Sequence, residues 1–237
     1  MVIKRLIILY GSCLLKISVV VPALNEESHI EKTLQSIMKQ DGDYECYVVD
    51  GGSSDSTVRI AKKYTRVINS KRGRAVQMNT GARLCRGDVL LFLHADTLLP
   101  ENAFCEIRKR MKDNTVAGGS FYITFDSDHF LLKGASFITR FNFRLFHFGD
   151  QGIFIRRDIF QELRGYREMP ILEDYDLYKR LKGQGKVILL RMPVISSARR
   201  FMKKGIVRQL LINKSVVLAY WAGIDTQVIK RFYDDMR

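Results

Sequence analysis

Three short polar groups each follow an apolar, β-branched run in this sequence. Pro22-Ala23-Leu24-Asn25-Glu26 follows Ile17 to Val21, Asp50 with its Gly-Gly-Ser-Ser tail follows Tyr47 to Val49, and His94-Ala95-Asp96 follows Val89 to Leu93. A carboxylate directly after such a run is poorly placed for packing and well placed for a ligand. In an open parallel sheet, loops and helix N-termini converge outside the carboxyl ends of the strands, and ligands bind there. Capping of a following helix is the competing explanation; it suits Asp55 and applies equally to Glu26 taken alone. It is weaker for Asp96, because Pro100 marks the expected start of the next helix.

The elements that must position these groups alternate in type. Strands are expected at Ile17 to Val21, Tyr47 to Asp50, Val67 to Ile68 and Val89 to Leu93. Between them lie helical patterns: Ile30, Leu34, Ile37 and Met38 on one face, then Val58 to Tyr64, then Ala75 to Leu84. Short connections between unlike elements mean parallel βαβ units, hence a mostly parallel α/β sheet covered on both faces. The second half is less regular. Strands are expected at Gly119 to Phe125, Gly152 to Ile155 and Lys186 to Leu190. Helices are expected near Ile159, from Asp174 to Leu181 and, as the last element, from Ile206 to Trp221. Neither a repeat nor a Pro/Gly/Ser linker marks a boundary, so residues 16–237 read as one domain after an extension, 1–15.

Of 237 residues, 46% are hydrophobic and 11% aromatic, which is a globular composition. The formal charge of +14 calls for an anionic partner: nucleic acid, an acidic membrane surface or a phosphorylated small molecule. Cys13, Cys46, Cys85 and Cys105 form no C-x-x-C pair, so a reduced, cytoplasmic protein is the expectation. Leu6 to Leu15 is apolar but is interrupted by Lys16 after about half of the roughly twenty residues that span a bilayer. Residues 1–15 read as a start-site artefact, an extra strand or a weak surface anchor.

The order VVVPALNEE, VVDGGSSDST, GRAVQMNTGA, LFLHADT and EDYDL closely resembles the family-two glycosyltransferases of the GT-A fold over about residues 16–200. Within them it is similar to a bacterial subgroup with HADT and GDQG signatures. The resemblance implies a single Rossmann-like sheet and transfer of a sugar from a nucleoside diphosphate. It places Pro22, Ala23, Leu24, Glu26 and Ala95 around the nucleotide, with Asp50 accepting a hydrogen bond from the base. Arg72, Arg74, Gln77 and Asn79 would approach the diphosphate and sugar. Asp96 takes the last position of the family's D-x-D and would hold Mn²⁺ or Mg²⁺ against the phosphates, as suits hard oxygen ligands. Glu173-Asp174 matches the family's acid pair, with Asp174 as the base of an inverting transfer and Glu173 orienting it. Asp150 and Gln151 would meet acceptor or sugar hydroxyls, or simply form a turn that closes before the next strand. Arg199 and Arg200 would lie over the diphosphate.

Two departures stand out. His94 replaces the first carboxylate of D-x-D and reads as a second metal ligand, a ribose contact or a packed histidine. Gly51 replaces the second Asp of the common VDDGS pattern. The stripe Phe130, Phe137, Phe141, Leu145 and Phe148, with Lys133, Arg140 and Arg144 beside it, reads as a core helix or as an interfacial surface receiving a lipid-linked acceptor. That second reading adds peripheral contact with the inner face of a membrane. A nucleotidyltransferase would carry a Gly-rich loop with Arg and Lys after the first strand, where Pro22 to Glu26 stand here. A non-catalytic polyanion- or nucleic-acid-binding protein would cluster its cations on one groove, whereas here they spread through helices and loops.

Overall fold

The computed structural model describes residues 15–140 and 151–235. Four strands, β1 (Ile17–Ala23), β2 (Tyr44–Asp50), β3 (Arg66–Asn69) and β4 (Val89–Phe92), pair in parallel in the order β3-β2-β1-β4. Helices α1 (Ile30–Met38), α2 (Thr57–Ala61) and α3 (Arg74–Leu84) make the crossovers. The sheet then continues as β7-β6-β8-β5, where β5 is Thr97–Leu98, β6 Val116–Phe125, β7 Ile153–Arg156 and β8 Lys186–Ser196. Here the pairing is mixed. β7 runs antiparallel to β4 and β6, β6 and β8 are parallel, and β5 is antiparallel to β8. Four of the seven pairings are parallel, so the sheet is mostly parallel as expected, with its antiparallel pairings confined to the second half.

Period-two alternation sorts the buried strand residues between two faces. Ile17, Val19, Val21 and Ala23 of β1, with Val89 and Leu91 of β4, pack on one side against α1 and α4 (Ala103–Met111). Val20, Leu90 and Phe92 face the other side, against α3, α6 (Arg157–Glu162) and α7 (Glu173–Leu181). Gly81 lets α3 close onto that face: a Cβ there would stand 2.5 Å from Val20 Cγ1.

Three elements differ from expectation. β8 continues past Leu190 to Ser196, because Arg191 and Met192 bulge out where Leu190 pairs with Phe121 and Pro193 with Tyr122. Proline is tolerated at such a bulge. A short basic helix, α8 (Arg199–Lys204), precedes α9 (Ile206–Trp221), and α9 is followed by α10 (Thr226–Asp235). The aromatic stripe begins in α5 (Phe130–Thr139); Phe141, Arg144, Leu145 and Phe148 lie outside the described residues, as do 1–14.

Candidate active site

A cleft of about 1310 Å³ opens at the carboxyl ends of β1 and β4. Of the residues expected to bind donor, metal or acceptor, it is lined by Pro22, Ala23, Leu24, Glu26, Arg72, Arg74, Gln77, His94, Ala95, Asp96, Glu173, Asp174, Arg199 and Arg200. Asp50, Asn79 and Gln151 are not among its walls, and Asp150 lies outside the described residues.

At one end, Asp96 and Glu26 share a cation. Arg199 NH2 lies 3.3 Å from Asp96 Oδ2 and donates a short hydrogen bond to Glu26 Oε1. Burial would lower the Arg199 pKa, but the hydrogen bond and charge of Glu26, joined by Asp96, outweigh it and raise it. The Asp96 carbonyl accepts from Ser197 N–H (3.1 Å), and the Ala95 carbonyl accepts from the Thr33 hydroxyl (2.8 Å). Main-chain bonds from two other elements thus fix the loop after β4. Glu26 Oε2 is buried without a hydrogen-bond partner, 3.7 Å from His29 Nδ1.

At the other end, Glu173 and Asp174 open α7, whose N-terminal dipole favours carboxylates. Leu172 before them sits at φ 66°, a left-handed conformation that costs a bulky residue about 1–2 kcal/mol. Arg74 NH1 is 3.4 Å from Glu173 Oε1 and 3.8 Å from Asp174 Oδ2, and His94 Nε2 is 3.7 Å from the same Asp174 oxygen. Burial, then the Asp174 charge, push the Glu173 carboxyl up, while Arg74 pulls it back. Asp176, the third acid of this turn, is structural: it accepts from Arg180 (2.7 Å) and Arg167 (3.1 Å). Arg180 in turn holds the Leu163 and Gly165 carbonyls.

Several expected contacts take other roles. Asn79 is tied to Tyr166, donating to its carbonyl (2.8 Å) and accepting from its N–H (2.9 Å), so its amide supports the 163–166 turn and not the donor. Asp50 is buried and closed by its own loop, accepting from Gly52 N–H (2.9 Å) and Ser53 N–H (3.0 Å). Gln77 reaches the cleft, but its Nε2 donates to the Ala23 and Val49 carbonyls, both at 2.8 Å, and clamps the ends of β1 and β2 together. That clamp explains Gly51, where a Cβ would lie 3.0 Å from the Gln77 amide. Gln151 is 1% exposed, so it packs inside the protein and does not line the cleft.

His94 Nε2 lies 3.7 Å from Asp174 Oδ2, so the imidazole reaches the acid pair. Among the described residues no three His, Cys, Asp or Glu side chains gather at metal-ligand spacing. Asp96 and the orphaned Glu26 oxygen fit a hard cation that completes its shell with phosphate and water, as Mg²⁺-type ions do at such sites.

Tyr166 was not anticipated. It is 2% exposed, edge-on to Phe92 at 4.9 Å between ring centroids, and burial followed by the Asp174 and Glu173 charges push its hydroxyl well above 10. Its only sequence signal is a place in the turn before the acid pair. Lys203, Lys204 and Lys214 also line the cleft, from helices whose approach to β1 no local pattern reveals.

The family described as Glycosyl transferase family 2 matches residues 18–170. A PGL/p-HBAD biosynthesis glycosyltransferase of Mycobacterium tuberculosis is 31% identical over 195 residues, covering 75% of this chain and 74% of that protein. The poly(ribitol-phosphate) beta-N-acetylglucosaminyltransferase TarP of Staphylococcus aureus is 29% identical over 110 residues, 42% of this chain; the match spans only 34% of TarP. Among solved structures, the mannosyltransferase PcManGT of Pyrobaculum calidifontis, in complex with GDP-Man and Mn²⁺, superposes with a TM-score of 0.69 at 20% identity. That superposition covers 88% of this chain and 63% of PcManGT. S. aureus TarS 1–349 in complex with UDP-GlcNAc gives 0.66 at 17% identity, covering 93% of this chain and 70% of that one.

Proposed function

The chain belongs to glycosyl transferase family 2, and from that premise we propose that it moves a sugar from a nucleoside diphosphate to an acceptor hydroxyl with inversion. The observation that carries this reading is the His94-Ala95-Asp96 tripeptide. It spans the cleft from the acid pair, through His94 to Asp174, to the cationic end, through Asp96 to Arg199. In this reading the donor and the base lie on opposite sides of one short segment.

In the proposed reaction the acceptor oxygen attacks the anomeric carbon as its proton passes to Asp174. The bond from that carbon to the β-phosphate oxygen breaks, and the nucleoside diphosphate leaves. Arg72, Arg199 and Arg200 receive the charge that develops on the leaving phosphate, in a cleft where preorganised cations act more strongly than in water. Asp96, with Glu26 beside it, would hold Mn²⁺ or Mg²⁺, which supplies Lewis-acid stabilisation of the diphosphate. The Mn²⁺ in PcManGT and the nucleotide-sugars in both structural relatives support the donor class. His94 and Arg74 lie beside Asp174 and hold it in place, and Glu173 faces the same Arg74 cation.

Hydrolysis of a panel of nucleotide-sugars, with and without Mn²⁺, identifies the donor without a known acceptor. Asp174→Asn should lower turnover by at least about 100-fold, the lower bound for losing a general base, and leave nucleoside-diphosphate binding intact. Asp96→Ala should abolish the metal-dependent part of that binding. Near-full turnover by the Asp174→Asn protein removes the base assignment.

A further inference from the structure

The helices along the open side of the cleft carry apolar residues on solvent-exposed faces. On α9, Ile206, Gln209, Ile212, Val216 and Val217 are buried, whereas Val207, Leu211, Leu218 and Trp221 are each half exposed or more. The exposed four fall at spacings of four, seven and three, so they form a second stripe down the outer side of one helix. Met202 on α8, Ile224 in the following turn, and Val228 and Phe232 on α10 extend it, all of them exposed. At the cleft mouth Phe130, 73% exposed, and Ile138 add an apolar rim from α5. Cations lie among these residues: apart from Arg199 and Arg200 inside the cleft, residues 202–235 hold six Lys and Arg against three Asp. Lys203, Lys204 and Lys214 are on the cleft side.

A contiguous apolar patch of this kind marks an interaction surface. Its charge decides the partner. Two copies meeting through this face would bring like charges together, whereas an anionic headgroup layer neutralises the cations while its acyl chains receive the apolar stripe. We propose that the outer face of α8, α9 and α10 docks on an anionic bilayer and sets the mouth of the cleft against the headgroups. No described helix is long and apolar enough to cross a membrane, so the contact is peripheral. The inference stands on the surface alone and is independent of the reaction proposed above.

The chain has one tryptophan, Trp221, and it sits in this face with its indole N–H on the Tyr175 hydroxyl, so its fluorescence reports the contact directly. Full-length protein is mixed with vesicles of phosphatidylcholine alone, or of equal parts phosphatidylcholine and phosphatidylglycerol. Sedimentation with the anionic vesicles only, reversed by salt, is expected, with a blue shift and quenching by brominated acyl chains. The triple variant Leu211→Ser, Leu218→Ser, Phe232→Ser should lower the partition coefficient at least about tenfold. Its melting temperature and nucleoside-diphosphate binding should stay unchanged. Equal binding to neutral vesicles, an unquenched Trp221 in bound protein, or undiminished binding by the triple variant each overturns the proposal, the last by assigning the contact elsewhere, such as residues 1–14. Concentration-dependent dimers without vesicle binding would give the face to a second copy and overturn it too. Loss of vesicle binding with intact donor hydrolysis fails this inference alone; docking without donor binding fails the transferase reading alone.

Discussion

Replacing Gln77 with leucine separates a structural clamp from a donor contact. Both amide protons of Gln77 are committed to buried carbonyls, Ala23 and Val49, at 2.8 Å. Leucine keeps the volume and removes both donors. A neutral hydrogen bond contributes about 1 kcal/mol net, and a buried acceptor left unmet costs about 1–3 kcal/mol. The Ala23 carbonyl keeps a second donor, Gly51 N–H at 2.9 Å, so its share lies at the low end. The expected loss is about 2–4 kcal/mol, or roughly 5–15 °C in melting temperature for a chain of this size. Donor affinity should fall less than about tenfold, since no Gln77 proton is left for a ligand. Thermal denaturation and nucleoside-diphosphate titration of the same preparation decide the matter. A melting temperature within about 1 °C of wild type together with a large loss of affinity would refute the clamp and restore the donor role.

Glu173 should make the fold pH-sensitive in a definite direction. Because burial and Asp174 raise its carboxyl above 4.5, the folded chain keeps a proton there that the unfolded chain releases. Stability from this group is thus present at low pH and lost as pH rises, with a limiting slope of about 1.4 kcal/mol per pH unit. Melting curves of Glu173→Gln should be flatter than wild type above about pH 4.5, and an unchanged slope would remove the raised carboxyl. Arg199→Gln takes away the cation shared by Glu26 and Asp96, so Mn²⁺ alone should bind several-fold more tightly, about 1 kcal/mol, while nucleoside diphosphate binds more weakly. Calorimetric titration of each ligand checks both signs. Tyr166→Phe keeps the ring against Phe92 and removes only the hydroxyl near Asp174, so steady-state kinetics should show kcat lowered about fivefold with little change in KM.

What was legible in the sequence was local. The alternation in β1 and β4 placed their side chains on two faces, and a carboxylate or histidine after each apolar run pointed to the cleft, as Glu26, His94 and Asp96 confirm by lining it. What was not legible depends on distant partners. Asn79 resembles a donor contact by its place after Arg74, yet its partner is the Tyr166 main chain, 87 residues on. Asp50 sits at a strand end, but Gly52 and Ser53 fold back on it first. α8 has four cations among its six residues, which leaves no apolar period to identify it, whereas α10 does carry one in Val228, Ile229, Phe232 and Tyr233.

The cationic end of the cleft shows why such partners escape a linear reading. β5 has two residues, too few for any period, yet it pairs antiparallel with the end of β8: Thr97 with Ser196, Leu98 with Ile195. That register sets Asp96, just before β5, beside Ser197, just after β8, and the Ser197 N–H donates to the Asp96 carbonyl at 3.1 Å. Arg199 follows two residues later, at the first turn of α8, and its guanidinium returns to Asp96 and Glu26. β8 reaches this register only because Arg191 and Met192 bulge out of its ladder with β6. A one-residue slip would invert the side chains of β8 and carry Arg199 away from Asp96. The bulge, a two-residue strand and one main-chain hydrogen bond therefore bring together an acid and a base 103 residues apart, the pair that any diphosphate entering this cleft must meet.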